Sequence, residues 1–329
     1  MRRAVWTEQG LQLIEAEPPP LERGWVRLAV EACGICGSDL DAWSRRYEPI
    51  LGLSPGHEFA GTVLQSTAPL PDRLYTASPL NACAHCQDCL SGNPQRCRSL
   101  QIIGIHRDGA FAGAVDIPVR NLVAVPDGVS PLLASMAEPV AVVTRAVGLA
   151  DAEVGSRVLV LGAGAIGLIA TILLREPAGT VGVAARYPHQ RELVRRFGAT
   201  AVTEAELTAW GEEYEPDVVI VTVGGALNIN QAIHAARPGG RMVLLSVLEE
   251  HSIDFAALLT KELSLTGSHA YGSNRRGPEF AAAVGVLGQH SAELAALQTH
   301  QFPLGDVQAA FELAADKTSG AVKATVVKG

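Results

Sequence analysis

Two of the six cysteines stand in Cys33-Gly-Ile-Cys36-Gly-Ser38-Asp39, and Gly56-His57-Glu58-Phe-Ala-Gly61 follows. A thiolate, an imidazole and a carboxylate are three candidate ligands for a zinc site that keeps an open position. Metal at such a site takes an alcohol oxygen and lowers its pKa. Hydride leaves far more easily from the resulting alkoxide than from the alcohol. On spacing alone, Cys33 and Cys36 also read as a C-x-x-C redox couple, although no thioredoxin-like strand–helix junction surrounds them. The other four cysteines, Cys83, Cys86, Cys89 and Cys97, read C-x2-C-x2-C-x7-C. Four thiolates this close suit a closed, tetrahedral, structural zinc site, and Gly92-Asn93-Pro94 supplies a turn that brings Cys97 back. An iron–sulfur cluster or two disulfides are the competing uses. His85, inside this loop, is expected to be exposed.

A third constellation is Arg157-Val-Leu-Val-Leu161 running into Gly162-Ala-Gly164-Ala165-Ile166-Gly167 and on into an apolar stretch to Leu174. A G-x-G-x-x-G between a strand and a helix is the context a dinucleotide site requires. Gly162 permits the turn, Gly164 lets the backbone approach a pyrophosphate, and Gly167 lets helix and strand pack closely. The helix N-terminus then offers N–H groups to the phosphates. The next strand ends in Ala185-Arg186, with no carboxylate for a ribose 2′-hydroxyl. Arg186, with Arg191 and Arg195 downstream, favours a 2′-phosphate, hence NADP over NAD. The candidate nucleotide contacts are Gly162, Gly164, Ala165, Ile166, Gly167, Arg186, Arg191 and Val223.

The elements that must position these residues follow from the patterning. The chain has 329 residues, 48% of them hydrophobic and 18% charged, enough for two domains with sizeable cores. From Trp25 to about Val125 the signals are short strands such as Val26–Val30, broken by Gly, Pro and Asp. A helix is expected over Pro131–Leu149, with Ser130 as its N-cap. Strands at Arg157–Leu161, Thr180–Ala184, Asp217–Val223, Arg241–Ser246 and Leu263–Thr266 then alternate with helices at Gly164–Leu174, His189–Phe197 and Leu227–Ala236. Alternation of this kind makes a parallel sheet covered by helices. The tail returns to short strands, ending in Ala321–Val327. The expected division is 1–129 for a mostly antiparallel β domain with a zinc lobe at about 81–98, 130–285 for an α/β nucleotide-binding domain, and 286–329 for a return to the first.

The charge-free stretch Val158–Leu174 is slightly short for a membrane span and reads better as strand, turn and helix. The N-terminus lacks the pattern of a signal peptide, so a cytoplasmic location is the default, and reduced thiols there suit metal. The net charge of −8 argues against a nucleic-acid or anionic-membrane surface.

Taken together and in this order, Cys33–Asp39, Gly56–Gly61, the four-cysteine lobe and the Gly162–Gly167 turn resemble the zinc-dependent medium-chain dehydrogenases. That family includes alcohol, sorbitol and threonine dehydrogenases, and the resemblance covers nearly the whole chain. It implies an α/β fold: a Rossmann nucleotide-binding domain plus a GroES-like, mostly antiparallel β catalytic domain. It implies that Cys36, not Cys33, matches the zinc-binding cysteine of G-[IV]-C-x-[ST]-D, leaving Cys33 as a buried small side chain. His57 matches the second ligand. Glu58 matches a carboxylate that binds zinc directly in polyol-type members, and Glu138 one that binds or exchanges with it. Ser38 matches the hydroxyl that starts the proton relay. Asp41 stands where the family often has His, so the relay leaves through Asp41 or directly through water. Arg107, in Gly104–Gly109, matches a loop that borders the substrate cleft, where it would bind a carboxylate or hydroxyls; a surface turn with solvated charges is the alternative. The segment between Ala60 and Ala82 is shorter than in the family.

The implied function is hydride transfer between NAD(P) and a secondary alcohol, polyol or sugar-acid hydroxyl, with two zinc ions per chain. The implied partners are a small-molecule substrate and copies of the chain itself, as a homodimer or homotetramer paired near Leu263–Thr266. A non-catalytic nucleotide-binding regulator of the same fold is the alternative, and loss of a ligand or of Ser38 would have favoured it. A zinc-free quinone or enoyl reductase is disfavoured by the ligand set.

Overall fold

The computed structural model describes residues 1–246 and 252–329. The chain forms two compact units, Met1–Ala141 with Gly272–Gly329, and Val142–Tyr271. These junctions differ from 130 and 285. The helix expected over Pro131–Leu149 is two helices, Pro131–Ala134 and Ala137–Ala150, and the second continues from one unit into the other. Ser130 caps the first, its hydroxyl accepting the Leu133 N–H at 3.2 Å. Pro139 lies in the first turn of the second, where a missing N–H leaves no intrahelical bond unmade.

In the first unit a seven-stranded sheet runs in the order Gln298–Pro303, Lys323–Val327, Trp25–Gly34, Glu58–Ser66, Leu74–Ala77 and Leu122–Ala124, with Ala114–Pro118 also pairing Trp25–Gly34. Every pairing but that of Gln298–Pro303 with Lys323–Val327 is antiparallel. The short β-branched and aromatic runs bury one core, which includes Trp6, Trp25, Leu28, Phe59, Phe111, Ile117 and Phe311. Trp25–Gly34 is the organising strand. Gly34 pairs with Glu58 on one side and with Thr325 on the other, so residues far apart in sequence meet at its end.

The second unit is a six-stranded parallel sheet in the order Thr200–Val202, Thr180–Ala184, Arg157–Leu161, Val218–Val221, Arg241–Leu244 and Ser264–Gly267. Numbered along the chain, the order is 3-2-1-4-5-6, that of a Rossmann sheet. In the central strands, Val158–Leu161 and Val218–Val221 are unbroken, buried apolar runs, as a sheet covered by helices on both faces requires. Thr200–Val202 was not anticipated: three residues give no readable period. The stretch Val158–Leu174 is strand, turn and helix, and no described helix is long and apolar enough to cross a membrane.

Candidate functional site

Cys36 is the N-cap of a helix, Gly37–Trp43, that follows directly from the organising strand, so Cys33 and Cys36 do stand at a strand–helix junction, contrary to the expectation from sequence, though in an antiparallel sheet. Its backbone N–H donates to the Asp39 carboxylate at 2.9 Å, which closes the helix start and fixes the thiol's direction. His57 and Glu58 enter from the neighbouring strand. Their approach depends on glycines. Gly56 has φ +101°, and a Cβ there would lie 2.8 Å from Cys33 Sγ and 2.9 Å from Phe111 N. A Cβ on Gly34 would strike the Glu58 carboxylate, so this glycine is the space in which that side chain lies. Cys33 is fully buried beneath this packing.

The result is one ligand atom each from Cys36, His57 and Glu58, all within 4.8 Å of one another. The Ser38 hydroxyl sits 3.5 Å from His57 Nε2, and His57 Nδ1 faces Asp39 Oδ1 at 3.8 Å. At 3.8 Å the two are at ion-pair rather than hydrogen-bond distance, and His57 Nδ1 is buried with no hydrogen-bond partner among the described residues. Burial alone would depress the His57 imidazolium, but Asp39, Cys36 and Glu138 outweigh it and raise its pKa well above the ordinary value. Asp39 itself is raised, burial being the largest cause. Glu138 is buried outside the three-atom group, and burial, with Glu58 adding, pushes it up to about 7. A soft thiolate, an imidazole and carboxylates gathered in a buried space that favours positive charge fit a divalent zinc ion.

Two residues with a part in this site went unassigned in the sequence. Asp39 was visible in the motif, but only the structure gives its role. Lys323 is buried at 4% exposure, and its ammonium donates to both Glu58 oxygens, at 2.8 and 2.6 Å, and to the Ile35 carbonyl at 3.1 Å. No local signal exists for a partner 265 positions away. Around Ser38, the Tyr47 hydroxyl donates to the Ser38 carbonyl at 3.0 Å, and Asp41 accepts from Arg46 at 3.2 Å. Arg107 is held elsewhere. It pairs with Glu22 and lies 4.5 Å over the Trp25 ring, beside a cavity of about 400 Å³ that also includes Asp108 and Asp116 and none of the metal-cluster residues. Its expected place beside the substrate is therefore not supported.

The four remaining cysteines form a second cluster, again with all ligand atoms within 4.8 Å. The Cys83–Cys89 and Cys86–Cys89 sulfur separations are 3.8 and 3.5 Å, and none of the cysteines is in a disulfide. A tetrahedron with Zn–S bonds of about 2.3 Å has edges of about 3.8 Å, so these thiols are spaced for zinc. Backbone N–H groups of His85 and Cys86 lower the Cys83 thiol to about 6, while burial and then Cys86 push Cys89 up to about 12. His85 is exposed.

In the second unit the glycine turn sits where the first strand meets its helix, Ala165–Leu174. Gly162 has φ +104°, and a Cβ there would lie 2.6 Å from Val223 Cγ1. A Cβ on Gly167 would overlap the Gly162 carbonyl, whereas one on Gly164, the helix N-cap, would meet nothing within 4 Å. The turn is thus closed on its protein side and open at the helix N-terminus, which fits a pyrophosphate held by N–H groups. Arg186 follows the second strand with its side chain 70% exposed. Arg191 donates to the Arg186 and Ala185 carbonyls, at 2.6 and 3.4 Å, which fixes the end of that strand.

A mostly antiparallel β unit carrying three donors that could hold a metal, together with a Rossmann unit carrying an open glycine turn, is the arrangement of a nucleotide-dependent dehydrogenase. Residues 22–127 match the alcohol dehydrogenase GroES-like domain, and residues 132–327 match the glucose dehydrogenase C-terminus. The chain belongs to the zinc-dependent medium-chain dehydrogenase/reductase superfamily, and to its NAD(P)-dependent alcohol and polyol dehydrogenases. It is 29% identical over 309 residues to L-galactonate-5-dehydrogenase of Escherichia coli K12, covering 87% of this chain and 86% of that protein. It is 28% identical over 334 residues to L-threonine 3-dehydrogenase of Shewanella sediminis, covering 96% of each. Among solved structures, a putative zinc-binding dehydrogenase of Sinorhizobium meliloti bound to NADP superposes with a TM-score of 0.88 at 28% identity, over 99% of this chain and 98% of that one.

Proposed function

We propose that this enzyme oxidises a secondary hydroxyl of a polyol or sugar acid, or reduces the corresponding ketone, with NADP favoured over NAD. The observation that carries the reading is the convergence of Cys36, His57 and Glu58 within 4.8 Å beside the Ser38 hydroxyl. A zinc ion held by these three, with Glu138 as a further donor, supplies Lewis acidity to a substrate hydroxyl when bound. Cys83, Cys86, Cys89 and Cys97 would hold a second, structural zinc. Ser38 Oγ takes the proton of the substrate hydroxyl as its own O–H proton passes on to Asp41 or to water. Asp41, held by Arg46, is the carboxylate one helical turn further on. Asp39 places a buried negative charge beside the His57 ring, and Lys323 holds the Glu58 carboxylate. The open turn at Gly164, with Ala165 and Ile166 at the helix start, receives the pyrophosphate. Arg186 reaches the 2′-phosphate. The relatives' names, L-galactonate-5-dehydrogenase and L-threonine 3-dehydrogenase, support a substrate with a secondary hydroxyl. The exposed edge strand Ser264–Gly267 is the proposed pairing surface of a homodimer or homotetramer, and the cytoplasm the proposed compartment.

The test is kcat/KM for NADP and NAD over a panel of polyols, sugar acids and simple alcohols, in the parent and in Arg186→Ala. A hydrogen bond to a charged group is worth about 1.5–3 kcal/mol, so NADP should weaken roughly 10- to 150-fold while NAD changes little. A parent that prefers NAD, or a substitution that weakens both equally, refutes the cofactor assignment.

A further inference from the structure

Two strands end side by side at the carboxyl edge of the parallel sheet. Ala184 pairs with Val202, and the Ala185 N–H donates to the Val202 carbonyl at 2.9 Å. Arg186 therefore leaves the sheet next to the loop that carries Glu204 and Glu206. Arg186 Nη2 lies 3.6 Å from Glu204 Oε2, with the two side chains 70% and 61% exposed. Glu206 is engaged within its own loop, accepting from the Thr203 N–H at 2.9 Å and from the Thr203 hydroxyl at 2.7 Å. Arg191 fixes the Arg186 backbone through its carbonyl, so the side chain starts from a set point beside the Glu204 loop.

We propose that Glu204 is a second determinant of dinucleotide choice, acting as the counter-ion that a 2′-phosphate must displace from Arg186. The proposal rests on Arg186 being the phosphate anchor. A ribose bearing two hydroxyls brings no anion, so the Arg186–Glu204 pair persists when NAD binds. A 2′-phosphate competes with Glu204 for one guanidinium and is repelled by the carboxylate it stands beside. Glu204 therefore weakens NADP selectively, and the preference for NADP is a ratio set by two residues of opposite charge. The carboxylate that many dinucleotide sites carry at the end of the second strand is here displaced to the neighbouring loop, where it acts through Arg186.

Binding of NADPH and NADH to the zinc-loaded enzyme, followed by nicotinamide fluorescence, tests this in the parent, Glu204→Gln and Arg186→Ala. An exposed ion pair is worth about 0.2–1 kcal/mol, so Glu204→Gln should tighten NADPH about 1.4- to fivefold. NADH should be unchanged. The gain should vanish near 1 M salt, where the Debye length is about 3 Å. If Glu204→Gln weakens NADH, the carboxylate bonds the ribose and the proposal is overturned. It is overturned equally if both nucleotides tighten alike. If Arg186→Ala weakens NADPH but Glu204→Gln changes nothing, Arg186 remains the anchor and Glu204 is irrelevant. If Arg186→Ala leaves NADPH unchanged, the cofactor reading itself fails and the proposal fails with it.

Discussion

Replacing Lys323 by Met should destabilise the first unit far more than any exposed charge change. The ammonium is 4% exposed and bonds both oxygens of Glu58, itself 1% exposed, at 2.8 and 2.6 Å. Met matches the length of the lysine stem, so little packing is lost. What remains is a buried carboxylate facing Asp39, Glu138 and the Cys36 thiol, stripped of the ammonium that bonds both its oxygens. Removing one partner of a buried pair costs about 3–5 kcal/mol. At roughly 2–4 °C per kcal/mol for a unit of this size, Tm should fall by about 6–20 °C. Lys323 is raised above its ordinary value of 10.5, burial lowering it but Glu58 and Cys36 outweighing burial. A group raised in the folded state contributes fully below its unfolded value and loses that contribution only as pH climbs through the folded one. The deficit of the variant should therefore be the same at pH 7 and pH 9. Urea unfolding of the parent, Lys323→Met, Glu58→Gln and the double variant, with zinc content assayed in each, completes the cycle. Removing both charges should cost clearly less than the sum of the single losses. A single-variant loss under about 1 kcal/mol, or simple additivity in the cycle, would refute the argument, because buried pairs differ from exposed ones on this point.

Three further outcomes are expected. Cys36→Ser should lose about one zinc per chain and nearly all activity, and full activity would end the catalytic assignment. Cys89→Ser should lose a different single zinc and lower Tm, since structural zinc sites supply folding energy directly; unchanged melting and unchanged zinc would contradict it. Asp217, bonded by Arg157 and Arg237 and held well below its ordinary 3.8 chiefly by the Arg157 hydrogen bond, should lose about 1 kcal/mol of stability when changed to Asn, a partly exposed pair being worth little more. Because its folded pKa is depressed, that contribution is present above 3.8 and lost as pH falls through the lower folded value. A deficit that already shrinks between pH 7 and pH 5 would show that Asp217 is not its source.

Much of the fold was legible because its signals are local. Arg157–Leu161 and Thr180–Ala184 are observed where the patterning put them, since buried parallel strands are unbroken apolar runs with turn residues at each end. The other parallel strands, Val218–Val221, Arg241–Leu244 and Ser264–Gly267, differ at their ends by a residue or two, where pairing rather than propensity decides the last residue. The split of Pro131–Leu149 into two helices and the three-residue strand Thr200–Val202 were not legible. The first depends on where the chain passes between units, and the second on a neighbour strand offering free carbonyls and N–H groups.

The site divides along the same physical line. Donor types and spacings pointed to the four-thiol lobe and offered a cysteine, His57 and Glu58 as a second ligand set, because a metal's preferences are written in side-chain chemistry; the choice of Cys36 over Cys33 came from the resemblance to the zinc-dependent medium-chain dehydrogenases. Position and charge state were not written there. A sequence places Glu58 beside His57 but cannot say that Gly34 makes room for its carboxylate, that Lys323 holds it, or that Glu138 nearby is pushed up to about 7 by burial. Each of those facts is a contact between strands paired across the chain, fixed by the register of Trp25–Gly34 with Glu58–Ser66 and Lys323–Val327. The same register argument explains Arg186. Its type favoured a phosphate, yet its nearest counter-charge is set by the pairing of Ala184 with Val202. Motif residues state which chemistry is available, and strand register decides which charges that chemistry works against.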